Sequence, residues 1–154
     1  MYKRRGFLSV ADYVLEGVAK QELHASLIYI EKLNFSRLVK EFGGLIEREI
    51  LMNFVDTLKS TFRSSDVIAR IGDDKFLVLT SHNQSLKIER VLMQLRKKIQ
   101  IANDNQQNRF HAHYKIGSFS FAPEYFSSSG RLIDLVDKRM SESQYLESCS
   151  LVKG

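Results

Sequence analysis

The sequence predicts an α/β domain of the α+β kind, in which helices flank a central mixed, largely antiparallel sheet. Three observations predict it. Short apolar runs of strand length are interspersed with longer stretches whose apolar residues recur at helical spacing. Two of the strands are joined directly by a tight turn at Gly72-Asp73, which makes that pair antiparallel. No repeat or low-complexity linker divides the 154 residues, and the single proline, Pro123, lies late. Such a length suits one domain with one core.

Leu27-Ile28-Tyr29-Ile30 is a short apolar run with the character of a buried strand. Phe35, Leu38, Val39 and Phe42 then fall at helical spacing, and Gly43-Gly44 supplies a stop. Ile46, Ile50, Phe54, Leu58 and Phe62 recur every four residues, which marks a long amphipathic helix packed along one face. The hairpin follows. Its first strand leads to Ile71, its turn is Gly72-Asp73, where glycine can take φ > 0, and its second strand runs Phe76-Leu77-Val78-Leu79.

A further helix is predicted from about Ser85 to Ile101, with Ile88, Leu92, Leu95 and Ile99 on one side and Lys87, Arg90, Arg96 and Lys97 elsewhere. Residues 103–108 read as a polar turn. Phe110, Ala112, Tyr114 and Ile116 alternate against His111, His113 and Lys115, the period of a half-buried strand. Ser127-Ser128-Ser129 can cap a final helix carrying Leu132, Leu135, Val136 and Met140, and Ser148 to Val152 reads as a last short strand.

Composition excludes several classes. One cysteine, Cys149, permits neither an intrachain disulfide nor a multi-cysteine zinc site. The basic start is followed by an apolar run that Asp12 and Glu16 interrupt, so it fails as a signal peptide. Nothing approaches the roughly 18 apolar residues a membrane span needs. A net charge of +5 favours anionic partners only mildly, and Arg96-Lys97-Lys98 reads as a solvated face rather than a nucleic-acid patch. His111 and His113 share a strand face, but without a Cys or acidic neighbour they do not read as a metal site.

The chemistry concentrates at the hairpin tip, where Asp73, Asp74 and Lys75 place two carboxylates and an ammonium. The segment resembles the signature hairpin of the GGDEF family, the diguanylate cyclases that condense two GTP into cyclic di-GMP. The five signature positions are Gly72, Asp73, Asp74, Lys75 and Phe76, with Asp73 for the second glycine and Lys75 for the second acidic residue. Other segments are similar too. Lys3-Arg4-Arg5-Gly6-Phe7 resembles the family's Asn-Arg-Arg-x-Phe lead into its first helix, and Glu31-Lys32-Leu33-Asn34-Phe35 its Asp-x-Asp-x-Phe turn. The interval from Glu31 to Gly72, 72 − 31 = 41 positions, is the family's own. Lys115-Ile116-Gly117-Ser118 resembles its Ser-Ile-Gly strand, and Val136-Asp137-Lys138-Arg139-Met140 its last helix motif. The Asp-x-Leu-Thr segment that opens the family's domain is absent. Residues 1–154 are therefore expected to be a single degenerate GGDEF domain belonging to a larger signalling protein.

The resemblance implies a nucleotidyl-cyclase-like fold and, in the family, a Mg²⁺ site built from carboxylates at the positions that here are Glu31, Asp74 and Lys75. Lysine removes a ligand and adds repulsion, about 4 kcal/mol for a unit charge at about 4 Å and an effective dielectric near 20, and about double for a divalent ion. Asp73 fills the space where the triphosphate should approach the backbone. The guanine-reading positions fall at Val39 and Arg48, and a phosphate-binding lysine at Gln144. The expectation is lost catalysis, no Mg²⁺ cofactor and a vestigial set of Glu31, Gly72, Asp73, Asp74 and Lys75. Lys75 is expected to replace the ion by pairing with Glu31.

One ligand motif survives in the resemblance. Arg63-Ser64-Ser65-Asp66 matches the family's Arg-x-x-Asp inhibitory site for cyclic di-GMP, where Arg63 and Asp66 would read guanine or phosphate. The assisting arginine falls at Gln94, with Arg90 and Arg96 nearby. A plainer reading stands beside it: Arg63 closes a long helix, where a cation suits the macrodipole, and Ser64-Ser65-Asp66 is ordinary turn chemistry. Function is thus expected to be that of an inactive regulatory module binding cyclic di-GMP. The alternatives are a ligand-free interaction or dimerisation scaffold, or a residual cyclase. Expected partners are cyclic di-GMP, other domains of the parent protein, a signalling partner or a second copy. Neither nucleic acid nor membrane is expected to be one, and the expected setting is bacterial cytoplasm.

Overall fold

The computed structural model describes residues 1–33, 35–82, 88–105, 112–121 and 129–143. Along the chain run β1 (Tyr2–Lys3), α1 (Arg4–Lys20), β2 (His24–Lys32), α2 (Phe35–Phe42), α3 (Gly44–Thr61), β3 (Val67–Arg70), β4 (Lys75–His82), α4 (Ile88–Asn105), β5 (Tyr114–Phe121) and α5 (Ser129–Ser143). The five strands form one sheet in the order β1-β3-β4-β2-β5. β1 lies parallel to β3, and every other pairing is antiparallel. This is the mixed, largely antiparallel sheet that the sequence predicts.

Successive side chains of a strand point to opposite faces, and here both faces are covered. Ile28, Ile30, Phe76, Val78, Tyr114 and Ile116 meet Ile46, Ile50, Phe54 and Leu58 of α3 and Leu92, Leu95 and Ile99 of α4. Phe54 stacks on Tyr114 with ring centres 4.5 Å apart and meets Phe76 edge-on at 4.9 Å. On the opposite face Leu27, Tyr29, Leu77 and Leu79 meet Phe7, Ala11 and Leu15 of α1 and Leu132 and Val136 of α5. The four-residue stripe of the long helix is therefore core, as its spacing predicts.

Several boundaries differ from expectation. The hairpin connection is longer than a two-residue turn: Ile71 N–H donates to Lys75 O, and Gly72 does not take a positive φ. Among the described residues the positive-φ glycine is Gly43 (φ 91°), which lets the chain turn from α2 into α3. α4 runs through residues 103–105 instead of ending in a polar turn, because Asn103 uses its amide to bond both N–H and C=O of Ala112. Lys115 was expected on the wet side of a half-buried strand, yet it is fully buried beneath the second helical layer. β1 had no sequence signal. Phe110, His111, Ser127, Ser128, Gln144 and the expected tail strand lie outside the described residues.

Candidate functional site

Two groups of side chains carry the candidate chemistry, one at each end of β4. At the hairpin end, the register sets Glu31 opposite Lys75 on one side and opposite Lys115 on the other. The carboxylate pairs with Lys115, whose Nζ lies 3.0 Å from Oε2. The Glu31–Lys75 pair expected from sequence is not formed. The reason is burial: Lys115 has no access to water, so its ammonium requires a counter-charge, whereas Lys75 sits at the strand end and folds its carbons over Gly72.

The other face of the same end is also cationic. Arg70 donates from Nε to Gly72 O (3.2 Å) and from Nη2 to Asp73 O (2.7 Å), holding the turn by its carbonyls. Lys32 N–H donates to Asp74 O at 2.8 Å, which fastens β2 to the tip. The ammonium of Lys32 and the guanidinium of Arg70 lie 5.6 and 5.8 Å from the Phe76 ring centre. Burial, and then the Arg70 charge, lowers the Lys32 pKa to about 8, against the opposing pull of Glu47, Asp74 and Asp73. Among the described residues, no three His, Cys, Asp or Glu side chains converge into a metal-holding group. Val39 packs against the core, and Arg48 projects from α3 into solvent.

At the far end of β4, roughly 20 Å away at ~3.3 Å per residue, the structure brings Arg63 and Asp66 together. Arg63 N–H donates to Asp66 Oδ2 at 2.8 Å, and Asp66 N–H returns a bond to Arg63 O at 3.0 Å. The guanidinium is held through Nη2 alone, which bonds Asp66 Oδ1, Thr80 Oγ1 and Ser81 O. Its Nε and Nη1 donors have no partner among the described residues, and the side chain is 60% exposed while that of Asp66 is 3% exposed. A cleft of about 390 Å³ opens beside them, walled by Tyr2, Lys59, Phe62 and Ile68 as well as by this pair. Gln94 is exposed on α4 and does not line it.

Sequence reasoning missed Lys115, Lys32, Thr80 and Ser81. No pattern marks the first, since a lysine alternating with apolar residues reads as the wet face. Its partner becomes visible only with the register of β2 against β5.

The model of the diguanylate cyclase GGDEF domain family matches residues 1–146. Diguanylate cyclase DgcS of Shewanella oneidensis is 36% identical over 70 residues, which are 44% of this chain and 24% of that protein. The match thus spans about a quarter of that relative's length. Among solved structures, the GGDEF domain of PA1120 (TpbB or YfiN) from Pseudomonas aeruginosa matches with a TM-score of 0.79 at 18% identity, covering 96% of this chain and 87% of that one. The GGDEF domain of DgcB from Caulobacter crescentus, in complex with cyclic di-GMP, gives a TM-score of 0.74 at 12% identity, covering 93% and 85%. Identities this low speak for the fold alone. The family model, matched along nearly the whole sequence and on the hairpin, strands and helices described above, makes this chain a member of the GGDEF domain family.

Proposed function

We propose that this domain is a catalytically inactive GGDEF module that works as a receptor in cyclic di-GMP signalling and binds the dinucleotide at the Arg63 cleft. The observation that carries the reading is the state of Arg63. One nitrogen of its guanidinium is fixed to Asp66, Thr80 and Ser81, and its remaining donors face outward beside a cleft. A donor already held in place loses little freedom when it takes a phosphate or the O6/N7 edge of guanine. Asp66 orients it from beneath and helps to close the site.

The loss of catalysis is supported at the other end of β4. The residues there do not fit a divalent cation, because Glu31 is already neutralised by a buried ammonium and Lys32, Arg70 and Lys75 crowd the same tip. No step through Mg²⁺ follows from this arrangement. Purified protein given GTP with Mg²⁺ or Mn²⁺ is expected to form no cyclic di-GMP above background. Turnover abolished by Glu31→Ala would return the domain to the cyclases.

Calorimetric titration with cyclic di-GMP tests the receptor reading. Binding is expected, and Arg63→Ala should weaken it about ten- to hundredfold, the loss of one charge-assisted guanine contact. The scaffold reading draws on a different observation: the Arg63–Asp66 turn closes on itself just past the end of α3 without any ligand. A silent titration at high micromolar ligand would leave that reading in possession.

A further inference from the structure

The fold leaves an outer ridge of α3 uncovered, and the residues along it are laid out symmetrically about one position. Ile46, Ile50, Phe54 and Leu58 turn the helix toward the core. At about 100° per residue, Leu45, Arg48, Met52, Asp56 and Lys59 fall within about 80° of one another on the opposite side of the helix. All five are exposed, Leu45 to 87% and Met52 to 59%. Arg48 and Asp56 have no ion-pair partner among the described residues. Met52 lies four positions after Arg48 and four before Asp56, and seven after Leu45 and seven before Lys59.

We propose that this ridge is a homodimer interface, in which α3 of a second copy of the chain lies antiparallel across it with the two-fold axis at Met52. The axis sets Met52 against the second copy's Met52. It also sets Arg48 against the second copy's Asp56 and Asp56 against the second copy's Arg48, so one symmetry relation forms two ion pairs. Leu45 meets Lys59, whose methylene stem can cover it while the ammonium stays in water. Leu45, Met52 and Lys59 recur at the seven-residue interval of a two-helix seam. Charge selects the direction: parallel helices in register would place Arg48 on Arg48 and Asp56 on Asp56. A lone exposed leucine needs no partner. Apolar residues and opposite charges balanced about one position match their own copy, which an unrelated surface has no reason to do. The contact is isologous, so it closes at two copies. One helix seam lies at the small end of protein interfaces, and the dimer is accordingly weak and reversible. It requires no ligand and is independent of whether the Arg63 cleft binds one.

Sedimentation velocity of the chain without nucleotide, over a concentration series rising to its solubility limit, provides the test. A reversible monomer–dimer equilibrium is expected. Met52→Glu sets two carboxylates at the axis and should weaken the dimer at least about tenfold. Arg48→Glu and Asp56→Arg each bring like charges together at two places and should weaken it about tenfold. The double variant Arg48→Glu with Asp56→Arg exchanges the charges and should return the dimer to near wild-type affinity. All three positions are exposed, so these variants report on association without a folding defect. A wild-type chain that stays monomeric throughout the series would overturn the proposal. So would a dimer indifferent to Met52→Glu, or a double variant no tighter than the single ones.

Discussion

Lys115 is a fully buried ammonium whose paired carboxylate, Glu31, is only partly buried. Removing one partner of such a pair leaves the other uncompensated, and the two directions are unequal here. Glu31→Ala removes the carboxylate paired with an ammonium that has no access to water and should destabilise by about 3–5 kcal/mol in urea unfolding. Lys115→Met replaces the ammonium with an apolar chain of similar length and leaves Glu31 partly solvated beside Lys75, so its cost should be clearly smaller. The double variant should recover most of the Glu31→Ala loss; additive effects would show that the pair is not coupled. Lys32 gives a pH signature. Its pKa in the folded state is about 8 against an ordinary 10.5. Between those values the unfolded chain binds more protons, so stability should rise with pH across that window, where the penalty on the charged form is relieved. Unfolding midpoints of wild type compared with Lys32→Met at neutral and alkaline pH should show this rise in the wild type alone.

At the scale of elements, the glycines separate by what their backbone requires. Gly43 joins α2 to α3 at φ 91° and ψ 173°, a region that side chains resist, and Gly43→Ala should cost about 1–3 kcal/mol. Gly72, the signature position, takes no such φ, and an added Cβ would meet Lys75 carbons no closer than 3.7 Å. Gly72→Ala should therefore stay within about 0.5 kcal/mol of wild type in the same assay. Gly117 is the opposite case. A Cβ on it would lie 2.2 Å from the Tyr29 ring, so Gly117→Ala must displace a buried aromatic and should be the most damaging of the three. These ranks invert the expectation that the turn glycine is the constrained one. Sequence showed a glycine in a turn; only the backbone angles show whether the turn uses its freedom.

For the molecule as a whole, periodicity located the helices and the apolar strands because burial repeats with the geometry of each element. Ile46 to Leu58 and Leu27 to Ile30 are the clearest cases, and both lie where expected. The sequence was less legible wherever a residue's place depends on a distant partner. β1 is two residues long and exists through its ladder to β3. Lys115 is buried through Glu31, 115 − 31 = 84 positions away. Of the candidate site, Arg63 and Asp66 were legible from local spacing, while Thr80 and Ser81, which hold the arginine, were not. A hydrogen bond between strand and helix end leaves no local pattern in either.

The ion pair between Lys115 and Glu31 bears on what restoring the signature to its family form could achieve. A cyclase could be sought by repairing the signature alone, with Asp73→Gly and Lys75→Glu. Those changes would set a third acidic group beside a carboxylate that is already occupied, while the internal ammonium stays where it is. Metal would have to displace a covalently tethered competitor whose local concentration no solution ion can match. Replacing Lys115 by methionine, the less costly half of the pair to change, releases the Glu31 carboxylate but supplies no acidic group at position 75. Repair of the signature and release of Glu31 from Lys115 are thus separate changes, and a metal site of the family's kind would require both. On the inactive reading proposed above, an internal ammonium that holds Glu31 keeps this carboxylate from a metal ion even beside a repaired signature.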